Sequence, residues 1–381
     1  MSAQRYRVQG NVAPTGYILS PPDKGLMIIT GFLALFGIMM ILSAGASKCV
    51  ALGTNPGSFA IKQLICFFIG FWAMCKLSRY NYKKLENIAV KFAWIVVVLL
   101  LLIDFTPLGV TVNGAKRWLA LGPLQFQPSE IAKLSVSMLL ACAFKNDANI
   151  FDTDKWQKYF APIGVIAFLT IIQPNLSMVI IFGIICLTCY LVSGGPAQLI
   201  GMMILGGGFV LSLIIKPYQL SRIKVWLNPE ADPYGAGYNI IQSLLAFVSG
   251  GFFGVGFGGS RQKLEWLPEA HTDFIYAVIG EEWGWLGCIA IIWLFLWFVY
   301  RGIRIAMNCK DMFGKILATG ITVSIGSQAF INMSVASSFV PATGVPMPFI
   351  SYGGTSLIIT MCMIGVLLNI SKIRISRSND V

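Results

Sequence analysis

Ten apolar runs, most of them near twenty residues long, restrict this chain to one class of fold. A helix rises 1.5 Å per residue, so about 20 residues cross the roughly 30 Å hydrocarbon layer of a bilayer. The runs fall near 25–47, 59–77, 90–107, 129–145, 159–173, 176–194, 197–216, 272–299, 316–337 and 352–371. Hydrophobic residues make up 56% of the 381 and charged residues 12%, which excludes an ordinary water-soluble domain. Lipid cannot satisfy peptide groups, so each run must close its hydrogen bonds within a helix. The expected fold is all-α: a polytopic membrane protein of ten transmembrane helices, with a large extracytoplasmic loop, 216–270, between the seventh and eighth.

Charge orients this array. The net charge of +12 comes from Lys and Arg clustered between the apolar runs, a topological pattern that argues against nucleic acid as a partner. With the first segment inside, 18 of the 28 basic residues fall on the cytoplasmic side and 10 on the outer side. That predicts a cytoplasmic arm over 1–24, a membrane domain over 25–371 and a cytoplasmic tail over 372–381. The first run follows a basic arm with Arg5, Arg7 and Lys24 and outlasts a signal core, so it reads as a retained span. The nine cysteines lie in or beside apolar runs and read as small apolar residues. Cys186 and Cys189 form a mid-span C-x-x-C for which neither a redox nor a zinc role is expected.

One outer cluster, Lys216, Arg222, Lys224, Arg261 and Lys263, runs against the charge bias and lies in the longest inter-span segment. Long loops of this kind commonly carry function. Within it, 238–248 is apolar but interrupted by Gln242 and Ser243, the pattern of an interfacial or re-entrant helix.

Three constellations could carry chemistry. In the eighth run, Asp273, Glu281 and Glu282 place carboxylates on one span, where ionisable groups are costly and functional by default. Thr272 can cap that helix and Asp273 would suit its first turn, which alone could explain the acid. Glu281 lies eight residues on, about 12 Å deeper on the same face, with Lys133 the best cation to pair it. In the second constellation, Lys116 and Arg117 precede Gln127, Ser129, Glu130 and Lys133. Here Ser129 can cap and Glu130 can pair with Lys133 at i, i+3. Gln127-Pro128-Ser129 is echoed by Gln173-Pro174-Asn175, each a good helix start. Lys116, Arg117, Lys133 and Arg222 share the outer side without enough local acids, which suits a phosphate or pyrophosphate ligand. The third constellation, 341–356, is dense in Pro and Gly and includes Pro346, Pro348, Ser351, Gly353 and Gly354. It reads as a tight turn or as a rigid non-helical wall, which membrane depth tolerates only inside protein or along a cavity. No P-loop, nucleophile elbow or histidine cluster is present, and His271 is the only histidine.

The motifs GAKRW (114–118), QPSEIAK (127–133), the NP-to-QS loop (228–243), KLEWLPEAHTDFIYAVIGEE (263–282) and GVPMPFISYGGTS (344–356) stand in order along the chain. In this combination the chain resembles the SEDS family (shape, elongation, division and sporulation) of membrane glycosyltransferases, and looks closer to the division members than to the elongation members. The resemblance implies polymerisation of lipid II on the outer face of the bacterial cytoplasmic membrane. Asp273 matches the essential acid, which would deprotonate the acceptor 4-hydroxyl in an inverting reaction. Lys116, Arg117, Gln127, Ser129, Glu130, Lys133, Arg222, Gln242, Ser243, Lys263, His271, Thr272 and Ser351 would contact substrate, while Glu281, Glu282, Pro346, Pro348, Gly353 and Gly354 would shape the site.

The implied partners are lipid II and the growing strand, a class B penicillin-binding protein transpeptidase and other division proteins. No tightly bound cofactor is implied, although a divalent cation, Mg²⁺ or Mn²⁺, could be shared with the pyrophosphate. Asn175 stands where the family often has Asp and cannot supply a carboxylate, though it could still cap a helix. A lipid-linked precursor flippase and a non-catalytic division scaffold are the competing readings.

Overall fold

The computed structural model describes residues 17–112, 114–121, 124–214, 217–235 and 237–375. Arg5, Arg7, Lys216 and most of the expected terminal arm and tail lie outside the described residues. The helices are α1 (Lys24–Ala51), α2 (Ser58–Arg79), α3 (Lys83–Phe105), α4 (Pro128–Phe144), α5 (Thr153–Lys155), α6 (Ala161–Ile172), α7 (Leu176–Val192), α8 (Ala197–Ile214), α9 (Pro217–Leu227), α10 (Tyr238–Gly250), α11 (Ile275–Asn308), α12 (Met312–Ala336) and α13 (Gly354–Ile370). Each of the ten apolar runs is therefore helical. The fifth starts earlier than expected, because α5 runs into α6 through a π turn at Trp156–Phe160. Among the described residues, α1, α2, α3, α11 and α12 are long and apolar enough to cross a membrane; Leu176–Val192, Ala197–Phe209 and Gly354–Ile370 are shorter apolar segments.

The buried centre is α12, which packs against α4, α7 and α11, while α2 lies along α13. Bulky apolar side chains such as Phe68, Trp72, Ile95 and Trp293 face outward. In water such surface would be a liability; in lipid it is the expected exterior.

Two small sheets depart from the all-α expectation. β2 (Gly109–Val112), β3 (Ala115–Leu121) and β4 (Leu124–Phe126) form an antiparallel meander ahead of α4. Its first turn uses Gly114 at φ +77°, a conformation that glycine adopts without a Cβ penalty. The second sheet pairs β1 (Tyr17–Leu19) with β5 (Ile373–Ile375), bringing the two terminal segments together. Both pairings join segments too short for a hydropathy window to register.

The long loop contains α9 and α10, and α10 packs against α11. After α10, the glycine-rich segment inserts into a break in α11 at Gly284 (φ 65°, ψ −166°). There the main chain of the loop replaces missing helical bonds: Val255 N–H donates to Glu281 C=O (3.0 Å), Gly256 N–H to Glu282 C=O (3.0 Å) and Trp285 N–H to Gly251 C=O (3.0 Å). Backbone groups inside a membrane protein must be satisfied in this way. The approach leaves no room for a side chain, since a Cβ on Gly254 (φ +81°) would overlap the Glu282 carbonyl. Gly254→Val is therefore expected to destabilise the fold by about 1–3 kcal/mol, read as a lower Tm of the detergent-purified chain. An unchanged Tm would refute the close fit.

Candidate active site

The three acids of the eighth run have different environments. Helix α11 starts at Ile275, so Asp273 lies in the turn ahead of it, and the Thr272 hydroxyl donates to Glu269 (Oε2, 2.8 Å) instead of capping α11. The expected cap is thereby corrected: the acid at Glu269 outcompetes the helix N-terminus for that hydroxyl. Glu281 does not meet Lys133. It accepts from Ser249 Oγ (3.2 Å), Ser260 Oγ, Arg261 N–H (3.0 Å) and Gln262 N–H (3.2 Å), and so fastens the long loop to α11. Glu282 forms a buried ion pair with Lys263 (2.8 Å) and accepts from Ser43 Oγ on α1. Among the described residues, the Asp273 carboxylate accepts no hydrogen bond.

Lys133 is fully buried on α4 and pairs with Glu130 (2.8 Å), the i, i+3 partner that its own helix supplies. It also donates to Gln328 Oε1 on α12, while Ser356 Oγ donates to Glu130 (2.9 Å). The expectation of too few acids near Lys116, Arg117, Lys133 and Arg222 is thus corrected for Lys133, which Glu130 neutralises; Lys263, in the outer cluster of the long loop, is neutralised by Glu282. Lys116 Nζ donates to the carbonyls of Asp104 and Thr106 (3.2 Å each), closing the meander onto α3. Arg117 donates to the carbonyls of Gln173 and Pro174, and Arg222 to that of Ala342 (3.1 Å).

Two expected caps are also replaced. α4 begins at Pro128 after Gln127, and Ser129 accepts from the Asn175 amide (3.5 Å). Asn175 occupies the cap position of α7 but makes no side-chain cap bond there, because its amide is turned toward α4.

Around Asp273 the wall is the loop 341–353. Asn332 on α12 uses its amide to bridge Asp273 C=O and Val345 C=O (2.8 Å each), and Gln328 donates to Pro346 C=O (2.9 Å). Ser351 Oγ donates to Thr272 C=O and accepts from Met347 N–H (2.8 Å); Tyr352 N–H donates to His271 C=O (2.9 Å). Gly353 N–H reaches Gln63 Oε1 on α2 (3.2 Å), and Gly354 opens α13 against Cys66. Pro348 is buried behind this run. Irregular backbone is thus held by side chains from α2 and α12 as well as by the turn that carries the acid. Ser243 braces α10 against α12 through its Oγ to Ala336 C=O (2.6 Å), and Gln242 beside it is half-buried.

A Cβ on Gly344 (φ +70°) would stand 3.5 Å from Asp273 Oδ2, so the glycine keeps the carboxylate's surroundings open. Burial, with the Glu269 charge adding to it, pushes the Asp273 carboxyl up to about 6, while Arg117 and Arg222 pull it down. Burial also holds the His271 imidazole below the usual histidine range. That ring stacks on Phe59 at 5.1 Å. Among the described residues no three His, Cys, Asp or Glu side chains converge as a metal requires. Asp273 with Glu269 is too small a donor set for a resident Mg²⁺ or Mn²⁺.

Gln328 and Asn332 were not singled out from the sequence. They are amides four residues apart within an apolar span, hence on one helix face, and that spacing was the available signal.

Residues 24–375 match the family model described as FTSW_RODA_SPOVE, cell cycle protein. The chain is 38% identical over 362 residues to the "Probable peptidoglycan glycosyltransferase FtsW" of Trichlorobacter lovleyi, covering 93% of this chain and 94% of that protein. It is 37% identical to stage V sporulation protein E of Bacillus subtilis, over 92% of this chain and 97% of that one. Among solved structures, the rod shape determining protein RodA of Thermus thermophilus superposes with a TM-score of 0.68 at 25% identity, covering 92% of this chain and 96% of RodA. A chain of a peptidoglycan synthase complex, solved to describe how polymerization and crosslinking are coordinated, superposes with a TM-score of 0.73 at 27% identity, covering 92% and 97%.

Proposed function

Because this chain belongs to the FtsW/RodA/SpoVE family of cell cycle proteins and is a multi-pass membrane protein, we propose that it is a peptidoglycan glycosyltransferase with Asp273 as its general base. It polymerises lipid II at the outer face of the cytoplasmic membrane during septal wall synthesis, with both termini on the cytoplasmic side. The observation that carries the assignment is the contrast among the three acids: Glu281 and Glu282 are spent on loop and ion-pair contacts, whereas the Asp273 carboxylate has no hydrogen bond or ion pair among the described residues.

In the reaction, Asp273 takes the proton of the acceptor 4-hydroxyl as its oxygen bonds to the anomeric carbon of the lipid-linked donor. The bond from that carbon to the pyrophosphate oxygen breaks, undecaprenyl pyrophosphate leaves with the electron pair, and the anomeric centre inverts. Arg117 and Arg222, whose charges already act on Asp273, are the cations suited to hold the pyrophosphate. The partner is a class B penicillin-binding protein transpeptidase, a reading supported by the likeness to a chain from a complex that coordinates polymerization with crosslinking.

The test is strand formation from fluorescent lipid II by the purified chain with its cognate transpeptidase. Transfer of lipid II across a vesicle without strand formation would assign transport instead. A base must be ionised to work, so with the Asp273 carboxyl at about 6 the rate rises with pH through that value and at pH 5 is about a tenth of its plateau. Arg222→Ala removes a charge that lowers this value, and moves the midpoint to higher pH. A profile flat from pH 5 to 8 would contradict the base assignment.

A further inference from the structure

We propose that the end of the bundle remote from Asp273 holds a binding site for the phosphodiester head group of an anionic phospholipid. A cavity of about 280 Å³ there is lined by Ser20, Asp23, Lys24, Arg301, Arg304 and Ser371, among others. Helix α1 separates it from the Asp273 side: α1 starts at Lys24, has 28 residues and, near its far end, Ser47 Oγ donates to Lys263 C=O of the long loop. That span is roughly 42 Å at 1.5 Å per residue.

The cavity is built by close packing and by the terminal segments. Arg301 lies across the start of α1 because residue 25 is glycine; a Cβ there would stand 2.9 Å from its guanidinium carbon. Ser20 Oγ donates to Ser371 C=O (3.2 Å) and Asp23 N–H to Ser371 Oγ (3.1 Å), where β1 pairs with β5. The one acid among the described lining residues is consumed: Asp23 accepts from Arg301 Nη2 (2.6 and 2.7 Å) and caps α1 through Leu26 N–H (2.8 Å). Three cations against one carboxylate leave the named lining with two positive charges in excess. Of these cations, Lys24 and Arg304 have no ion-pair or hydrogen-bond partner among the described residues, and both are exposed.

An Arg fork beside a Lys point charge is the donor set for phosphate. What selects a lipid over a free anion is the surface running away from each unpaired cation. On α1, Ile28, Phe32 and Leu35 follow Lys24 at helical spacing and are all exposed. On α11, Tyr300, Trp297 and Trp293 run back from Arg304 on one face and are exposed too. These apolar stripes descend from the two cations and give acyl chains a track beneath a bound head group. Basic pockets between helices at a membrane face recognise anionic lipids by this combination.

The experiment is native mass spectrometry of the detergent-purified full chain titrated with dioleoylphosphatidylglycerol, with dioleoylphosphatidylcholine as the neutral reference. Arg304→Glu and Lys24→Glu should each weaken the tightest phosphatidylglycerol binding about tenfold or more. Arg79→Glu, an exposed cation at the same end but outside the cavity, should leave it within about twofold. Both cavity variants are at exposed positions, and unchanged circular dichroism spectra are the check that their folds are retained. Unchanged binding in Arg304→Glu, or an equal loss in Arg79→Glu, would overturn the site. Displacement of the lipid by millimolar inorganic phosphate would assign the cavity to a soluble anion and overturn the lipid reading. None of these outcomes depends on the polymerase activity.

Discussion

Strand formation from fluorescent lipid II by Asp273→Asn, assayed with the transpeptidase partner, is expected to fall on the order of 10²–10⁴-fold, the usual worth of a positioned general base. Asparagine keeps the shape and removes only the basic oxygen. Neighbouring contacts are made by the main chain of this turn, through Asn332 to Asp273 C=O and Ser351 to Thr272 C=O, so they survive the substitution. The carboxylate itself accepts no hydrogen bond among the described residues, and burial already disfavours its charge. The variant should therefore melt at or slightly above the wild-type temperature. Loss of activity at unchanged or raised Tm separates a chemical role from a structural one. Wild-type-like polymerisation would remove Asp273 from the mechanism.

Glu282→Ala should behave in the opposite way, lowering stability by about 3–5 kcal/mol, because it strands the Lys263 ammonium without its partner. Both side chains are buried, at 8% and 0% exposure for Lys263 and Glu282, so water cannot take over. The pair Lys155–Asp147, whose acid is open to solvent, gives the contrast: removing the lysine leaves a hydrated carboxylate and should shift stability by less than about 1 kcal/mol. The double variant Lys263→Met with Glu282→Leu should recover most of the loss, since an apolar pair of similar volume removes the stranded charge. Thermal unfolding of the detergent-purified variants makes the comparison. A Glu282→Ala chain that melts with the wild type would mean that this pair does not hold the long loop to α1 and α11.

Much of the architecture was legible in the sequence because lipid permits so few solutions. An apolar run near twenty residues must be a helix, and all ten runs are helical. The motifs of the eighth run and of the loops around it named Asp273 as the residue to examine, and their order along the chain named the family. Local pairing was legible as well: Glu130 and Lys133 sit one turn apart and meet.

What spacing could not supply was the identity of partners distant in the chain. Lys133 and Glu281 were the natural sequence pair, yet the break at Gly284 brings the loop 249–262 onto Glu281, where serine hydroxyls and backbone amides take its charge. Thr272, Ser129 and Asn175 all carry side chains suited to capping, and each is drawn to a neighbour that only packing supplies. Gln328 and Asn332 gain their importance because α12 is central and passes behind the loop that faces Asp273. Hydropathy along the chain was enough to place the helices, and the motifs to single out Asp273; only packing shows which buried charges are already paired. The reason is that helix formation in lipid follows from local hydropathy, whereas satisfying a buried charge depends on groups that packing brings from other elements, as Lys263 of the long loop and Ser43 of α1 do at Glu282.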